Sequence, residues 1–193
     1  MKKIGVLALQ GAVSEHTEIL ERCGVIPIEI KKPGQIDDID GLIIPGGESS
    51  TIGNLMNEYS FFEKIRELAY KGKPIYGTCA GLILMSKNII GENRKTISIM
   101  DIEVRRNAFG RQIDSMEVDI KIPKLGNNEF PAVFIRAPII EKVGKQVEIL
   151  AEIDDRIVMA QQKNLLVSAF HPELSNDDRI HRYFLNLVNK RWR

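Results

Sequence analysis

The sequence predicts an α/β protein whose core is a mainly parallel β-sheet. Short apolar runs at residues 4–9, 26–30, 42–44 and 74–76 divide the first half of the chain. Near-continuous apolar runs are typical of strands that are covered on both faces. Helix-like segments separate several of these runs, and this alternation favours parallel strands with right-handed crossovers. We therefore expect helices on both faces of the sheet.

Capping patterns predict the helices of this first half. Ser14 can cap a helix after the first strand, and Gly24 lies just past its end. Ser60, followed three residues later by Glu63, forms a capping-box pattern, which predicts a helix that runs to Gly72. A loop separates the second and third strands, and no helix is predicted between the third strand and Ser60.

The second half predicts shorter strands with partial alternation and a final helix. Asp177 or Asp178 can cap that helix, which ends in a basic tail at residues 190–193. The chain contains no repeat, low-complexity tract or linker, so residues 1–193 are predicted to form one domain. The strands are predicted at residues 97–104, 115–122, 132–135, 147–153, 157–160 and 165–170.

Composition excludes several functional classes. The 193 residues include 27 Lys+Arg and 26 Asp+Glu, so no basic field suggests a nucleic-acid partner. The two cysteines, Cys23 and Cys79, are too few for a disulfide framework or for a zinc site of their own, so we expect no metal. No signal peptide or membrane-length apolar run is present, which predicts a cytoplasmic protein.

Cys79 is the candidate nucleophile. It is the central residue of 77–81, Gly-Thr-Cys-Ala-Gly, directly after an apolar strand. A nucleophile on a tight strand-to-helix turn has strained φ/ψ angles, and side chains two residues away on either side would clash, so glycine is needed there. The alternative is a small buried hydrophobic residue, which is the usual role of a lone cysteine. Cys23 has no such setting and is expected to be structural.

His171 and Glu173 are the candidate base and its orienting carboxylate. Both follow the last predicted strand, in the run His-Pro-Glu. If that strand is a neighbour of the Cys79 strand, the imidazole can reach the sulfur and Glu173 can hold the other ring nitrogen. The alternative is a turn histidine with an exposed glutamate. His16 and His181 are expected on solvated or half-buried helix faces, without a role.

Glycines and arginines complete the candidate site. Gly46 and Gly47 end the third strand, where main-chain N–H groups can approach a ligand. The N–H groups of Gly47 and Ala80 are candidate donors to an oxyanion. Arginines such as Arg106 and Arg136 can bind a carboxylate in bidentate fashion, although a surface ion pair is the simpler interpretation.

Together these motifs resemble the class-I, triad glutamine amidotransferases. More closely, the chain resembles the glutaminase-subunit family of pyridoxal 5′-phosphate synthase, the PdxT/SNO family. Five segments carry the likeness across nearly the whole chain, and the third and fourth are the most specific. They are 5–11 (Gly-Val-Leu-Ala-Leu-Gln-Gly), 45–49 (Pro-Gly-Gly-Glu-Ser), 106–112 (Arg-Asn-Ala-Phe-Gly-Arg-Gln), 134–138 (Phe-Ile-Arg-Ala-Pro) and 170–174 (Phe-His-Pro-Glu-Leu).

The resemblance implies a flavodoxin-like three-layer fold, a small antiparallel strand region and hydrolysis of L-glutamine to glutamate and ammonia. Cys79 would form a γ-glutamyl thioester, His171 would move protons and Glu173 would orient the imidazole. The glutamine site would be lined by Gly46, Gly47, Glu48, Ser49, Arg106, Ile135 and Arg136.

The resemblance also implies a partner. Ammonia would pass to a (β/α)8-barrel synthase that makes pyridoxal 5′-phosphate, so the phosphate ester is a product and this chain needs no cofactor. The synthase would form a dodecamer carrying up to an equal number of glutaminase subunits, and docking would complete the oxyanion hole near Gln10 and Gly11. Arg105 stands where an acidic residue is expected, which puts a local ion pair in doubt.

Two other functions remain open at the level of sequence. A self-sufficient amidase or γ-glutamyl peptidase would keep the fold and act without a synthase. A non-enzymatic relative kept for assembly is the other possibility, although the intact Cys-His-Glu set argues against it.

Overall fold

The computed structural model describes residues 1–108 and 115–190. The described residues do not include 109–112, which belong to the segment 106–112. They also do not include 191–193, which are most of the basic tail.

The first half of the chain alternates strands and helices. Its elements are β1 (Lys3–Leu7), α1 (Val13–Arg22), β2 (Ile26–Ile30), β3 (Gly41–Ile44), α2 (Ser49–Glu58), α3 (Phe61–Tyr70), β4 (Ile75–Thr78), α4 (Ala80–Met85) and β5 (Ser86–Ile89). The second half is mostly strands. Its elements are β6 (Met100–Arg105), β7 (Ser115–Ile120), β8 (Phe130–Ile135), β9 (Ile139–Val143), β10 (Glu148–Ile153), β11 (Arg156–Gln162), β12 (Leu165–Ser168) and α5 (Arg179–Asn189).

The large sheet has the strand order β2-β1-β3-β4-β12-β11-β9-β6-β5, with β10 paired to β11. Strands β2, β1, β3, β4 and β12 are parallel to their neighbours within that group. Strand β12 pairs with β4 in the register Ser168↔Thr78, although the two strands are far apart in sequence. Strands β7 and β8 form a separate antiparallel pair. The predicted α/β class, with a mainly parallel sheet and a small antiparallel region, is confirmed.

Helices cover both faces of the parallel strands. The ring of Tyr76 lies 5.8 Å from the ring of Phe184 in α5. A Cβ at the next residue, Gly77, would lie 2.7 Å from the sulfur of Met85 in α4. Because successive side chains of a strand point to opposite faces, α4 and α5 lie on opposite sides of the sheet.

The apolar runs form the core because both of their faces are covered. No side-chain surface is exposed at Ile4, Val6, Leu42, Ile43, Ile44, Ile75, Leu166 or Val167. Among the described residues, no helix is long and apolar enough to cross a membrane.

The predicted helix starts were partly wrong. Helix α2 was not predicted, and its residues Ser49, Ser50, Thr51 and Gly53 are weak helix formers. Its N-cap is Glu48, whose carboxylate accepts hydrogen bonds from two main-chain N–H groups of the first turn. Glutamate is an unusual cap, so the sequence pattern did not reveal it.

The other predicted caps also differ. Helix α1 follows Ala12, and Ser14 donates its hydroxyl to Glu15 instead of capping the helix. Ser60 does precede α3, but it has a left-handed φ of 61° and makes no side-chain cap. The capping box is therefore absent, and Glu63 pairs with Arg66.

At α5 both candidate aspartates contribute, in different ways. Asp178 is the N-cap residue but makes no side-chain cap, and it pairs with Arg182 at 2.7 Å. The carboxylate of Asp177 accepts the main-chain N–H of Arg179 at 2.9 Å. The strand β9 was not predicted, and the strand predicted at 97–104 begins only at Met100.

Candidate active site

A cleft at the carboxyl ends of the parallel strands collects the predicted site residues. Strands β1, β3, β4 and β12 point the same way, so the turns that follow them meet at one rim. The ends of β6 and β8 close the other side. The cleft is lined by Gln10, Gly47, Glu48, Ser49, Cys79, Ile83, Arg106, Asn107, Ile135, Arg136 and His171.

Cys79 occupies a strained turn between β4 and α4. Its φ and ψ are 46° and −97°, and its main-chain N–H donates to the carbonyl of Ser168 at 2.8 Å. A Cβ at Gly77 would lie 2.6 Å from the carbonyl carbon of Gly81, and a Cβ at Gly81 would overlap the carbonyl oxygen of Ile44. Both glycines are therefore required by contact with the backbone. The thiol is nearly buried, with 7% of Cys79 exposed.

His171 and Glu173 lie beside this turn. Nδ1 of His171 is 2.7 Å from Oε1 of Glu173, which leaves Nε2 of the ring for the thiol. The main-chain N–H of His171 donates to Val133 in β8 at 2.7 Å, so two sheets hold the imidazole. Gly46 packs beneath the ring, since a Cβ at this position would overlap Cε1 of His171.

Hydrogen bonds keep the imidazole protonated. Burial favours the neutral ring, but hydrogen bonds to Cys79 and Glu173 outweigh it and raise the pKa of His171 to about 10. Burial also acts against the charge on Glu173, yet His16, His171 and the residue's own N–H lower the pKa of this carboxyl below its ordinary value. Such a group can pair with a thiolate and later release a proton.

The turn after β1 is hydrogen-bonded to the glycine turn that follows β3. The carbonyl of Gly46 accepts the N–H of Ala12 at 3.0 Å, and Oε1 of Gln10 accepts the N–H of Glu48 at 2.8 Å. Because a trans peptide points its N–H opposite to its C=O, the N–H of Gly47 is directed away from this turn. Gly11 has a φ of 108° and packs so closely against Gly46 that a Cβ there would overlap the carbonyl oxygen of Gly46.

Charged residues form part of the cleft wall. Glu48 accepts hydrogen bonds from the main-chain N–H groups of Ser50 at 3.1 Å and Thr51 at 2.7 Å. Burial opposes the charge, but these bonds and the Thr51 hydroxyl lower the pKa of Glu48 to about 2. Nη1 of Arg106 lies 3.1 Å from both carboxylate oxygens of Glu92, and Nη2 lies 3.5 Å from Glu48.

The remaining arginines differ in setting. Arg136 has a left-handed φ of 42° just after β8 and lines the cleft. Arg105 does not line the cleft and pairs with Glu141 at 2.6 Å, which is not the ion pair that an acidic residue at this position would form. No group of three or more potential metal ligands lies together within the part of the chain that the structure describes.

The predicted exposure of His16 and His181 was wrong. Both side chains are fully buried, and Nδ1 of His16 lies 2.9 Å from Nε2 of His181. Helical spacing could have revealed this, because His16 shares a face of α1 with buried Ile19 and Leu20. Asn107 and Ile83 also line the cleft and were not predicted.

Comparison with known proteins identifies the family of this chain. Residues 6–190 match the SNO glutamine amidotransferase family. The chain belongs to that family. Membership confirms the family predicted from the motifs and the enzyme class, a glutamine amidotransferase.

Relatives in the SNO family are similar along their whole length. A pyridoxal 5′-phosphate synthase subunit PdxT of Carboxydothermus hydrogenoformans is 55% identical over 97% of this chain and 98% of its own. The corresponding protein of Desulforamulus reducens is 54% identical over 96% of this chain and 98% of its own.

Solved structures agree with the fold. A glutamine amidotransferase crystal structure, 43% identical, superposes with a TM-score of 0.92 and covers 97% of this chain and 99% of its own. The PurLQS structure from Thermotoga maritima, 18% identical, superposes with a TM-score of 0.69 over 97% of this chain and 100% of its own. The latter shows the shared fold alone.

Proposed function

We propose that this chain hydrolyses L-glutamine to L-glutamate and ammonia with Cys79, His171 and Glu173, and delivers the ammonia to a pyridoxal 5′-phosphate synthase. One observation carries the proposal: a nearly buried thiol on a strained turn lies beside an imidazole whose Nδ1 is held by a buried carboxylate. This arrangement keeps the ring charged and leaves its Nε2 free for the sulfur.

The first half of the reaction forms the thioester. The thiolate of Cys79 attacks the side-chain carbonyl carbon of glutamine, and the carbonyl electrons move onto oxygen. The N–H groups of Ala80 and Gly47 are the proposed donors to this oxyanion, and losing one such donor typically costs about 3 kcal/mol. His171 then gives its Nε2 proton to the amide nitrogen, the C–N bond breaks and ammonia leaves.

The second half regenerates the enzyme. Water attacks the γ-glutamyl thioester and gives a proton to His171, the C–S bond breaks, and glutamate leaves a thiolate paired with imidazolium. Glu173 holds Nδ1 throughout and fixes the orientation of the ring. No metal or cofactor takes part in the proposed chemistry.

The cleft wall would bind glutamine. We propose that Gly46, Gly47, Glu48 and Ser49 contact the substrate from one side and Arg106, Ile135 and Arg136 from the other. All of these except Gly46 line the cleft, and Gly46 lies directly under His171. The carboxylate and ammonium groups of glutamine need opposite charges, which Arg106 and Glu48 supply.

The relatives' names support a synthase partner, since they are called subunits of pyridoxal 5′-phosphate synthase. We propose that the partner is a (β/α)8 barrel in a dodecamer that carries up to an equal number of these chains in the cytoplasm. Docking near Gln10 and Gly11 would act on the Gly46–Gly47 peptide, because Ala12 and Gln10 bind that segment directly.

Ammonia release from glutamine, measured with and without the synthase, tests the proposal. Replacing Cys79 by Ala or His171 by Asn should lower release in the complex by roughly 10⁴-fold or more while assembly survives. Cys23→Ala is the matched control and should retain activity, because this half-buried thiol lies outside the cleft. Full activity of the Cys79 variant would contradict the proposal, and strong turnover without synthase would favour a self-sufficient amidase.

A further inference from the structure

The carboxylate of Glu173 is bound on only one of its two oxygens. Oε1 contacts His171, whereas Oε2 is buried and has no hydrogen-bond partner among the described residues. Nε2 of His16 lies 3.5 Å from Oε2, and neither side chain has any exposed surface. A buried carboxylate oxygen without a donor is costly, so the imidazole behind it matters for the charge.

Two further side chains contact the ring of His16. Its Nδ1 lies 2.9 Å from Nε2 of His181, and its Nε2 lies 3.3 Å from the hydroxyl of Thr78, the residue before Cys79. The other ring nitrogen of His181 has no partner among the described residues. Glu173, His16 and His181 therefore form a buried row from the candidate site to α5.

Burial keeps both histidines neutral. It is the main reason that the pKa of His16 is lowered, and it lowers the pKa of His181 to about 3. Nearby charges modify this effect, and none of them reverses it. The groups that face the row are Glu15, Arg22, Tyr76, His171 and Asp178.

The ring N–H groups of His16 and His181 need acceptors, and this need selects one pair of tautomers for the two neutral rings. If His16 carried its hydrogen on Nδ1, its bare Nε2 would face the Glu173 carboxylate, and His181 would bury an N–H without an acceptor. If His181 donates from Nε2 instead, His16 carries its hydrogen on Nε2, toward Glu173 and Thr78. The second arrangement avoids lone-pair repulsion and leaves only an acceptor unpaired.

Resting on the proposed function, we propose that His16 is a positioning residue for the glutaminase reaction. Its tautomer is set by His181, and it presents Nε2–H to Oε2 of Glu173. A neutral donor stabilises the carboxylate without cancelling its charge. Glu173 therefore keeps its full charge for His171, and Oε1 stays aligned with Nδ1 of that ring.

The tautomer can be measured on the wild-type protein, without any variant or substrate. Nitrogen NMR of ¹⁵N-histidine-labelled protein at neutral pH should show His16 with hydrogen on Nε2 and none on Nδ1. A hydrogen on Nδ1, or a charged His16, would overturn the proposal. This result does not depend on whether the chain hydrolyses glutamine.

Two substitutions at the same position test the positioning role in the assembled complex. His16→Leu removes the donor at similar volume, and His16→Gln keeps an N–H at similar reach. We expect His16→Leu to lower kcat by roughly tenfold with KM unchanged, since Oε2 of the buried carboxylate then has no donor facing it. His16→Gln should recover most of this loss.

The outcomes separate this proposal from the proposed function. Equal activity of His16→Leu and the wild type, or an equal kcat loss in both variants when both unfold in urea like the wild type, would overturn the positioning role. Absence of glutamine hydrolysis by the wild-type complex would instead overturn the proposed function, and the NMR tautomer would still decide the arrangement of His16.

Discussion

At the scale of single residues, the backbone of Cys79 is strained. Its φ of 46° is a conformation that costs a non-glycine residue about 1–3 kcal/mol. The strain persists because Gly77 and Gly81 allow the close contacts of the turn, and because Ser168 binds the N–H of Cys79. Since the turn is fixed by these contacts, the sulfur needs no rearrangement to meet His171.

The charge of Glu173 controls the proton of His171. Replacing Glu173 by Gln should lower kcat by roughly 10²-fold or more, because the ring loses its orienting charge. The raised pKa of His171, about 10, should fall toward its ordinary value of 6.5. His171 then loses at a lower pH the proton that it must give to the leaving nitrogen. The alkaline limb of kcat/KM should therefore move toward neutral pH.

A pH profile of ammonia release by the complex checks this expectation. Glu67→Gln is a suitable control, because Glu67 is exposed on α3 and lies outside the cleft. An alkaline limb that does not move in Glu173→Gln would show that this carboxylate does not set the protonation of His171.

At the scale of elements, α2 depends on an acidic cap. The carboxylate of Glu48 satisfies two N–H groups of the first turn and also contacts Arg106. A negative charge at a helix N-terminus is favourable, and a lost N-cap costs about 1 kcal/mol. The same carboxylate therefore stabilises a helix and forms part of the cleft wall.

Glu48→Ala should reduce the free energy of unfolding by about 1 kcal/mol at neutral pH, measured by urea denaturation. The pKa of Glu48 is about 2 in the folded chain, below the ordinary 4.5. Its contribution is therefore present above about pH 4.5 and is lost as pH falls toward 2. The difference between wild type and variant should shrink over that range.

Glu58→Ala is the matched control at the other end of α2. Glu58 is exposed at the C-terminal end of this helix, where a negative charge is unfavourable. Its removal should leave stability unchanged or slightly higher. An equal loss in both variants would show that Glu48 does not act as a cap.

At the scale of the whole molecule, the small β7–β8 sheet is fastened to the body by α5. Arg179 donates to the carbonyls of Asn128 at 2.9 Å and Glu129 at 2.7 Å, and its guanidinium lies 5.6 Å from the ring centre of Phe130. Strand β8 in turn binds the N–H of His171. Helix α5 therefore contacts the same small sheet that binds the main chain of His171.

Arg179→Ala should destabilise the protein by about 1.5–3 kcal/mol, because bonds to a charged group are lost and two carbonyls lose their donor. Hydrogen exchange should become faster in β7 and β8 than in β1 and β3. Arg182→Ala, which removes an exposed pair with Asp178 on the same helix, should cost less than about 1 kcal/mol. Unchanged exchange in β8 would contradict the fastening role.

Local patterns explain what could be predicted from the sequence. The buried strands, the Cys79 turn and the His171-Pro172-Glu173 segment are recognisable because each is encoded within a few neighbouring residues. Helix α2 was missed because its cap is a glutamate and its first turn is Ser-Ser-Thr. Ser14 and Ser60 match capping patterns, but the backbone of each turns differently from a capped start.

By itself, the sequence determined the parallel-sheet class, the family and the chemistry available at the turns, because hydrophobic periodicity and turn residues act locally. Only the tertiary structure decided that β12 lies beside β4, which brings His171 to Cys79, and that α1 and α5 bury His16 and His181 together behind Glu173. Such neighbours result from pairing and packing between distant segments, and no local pattern encodes them.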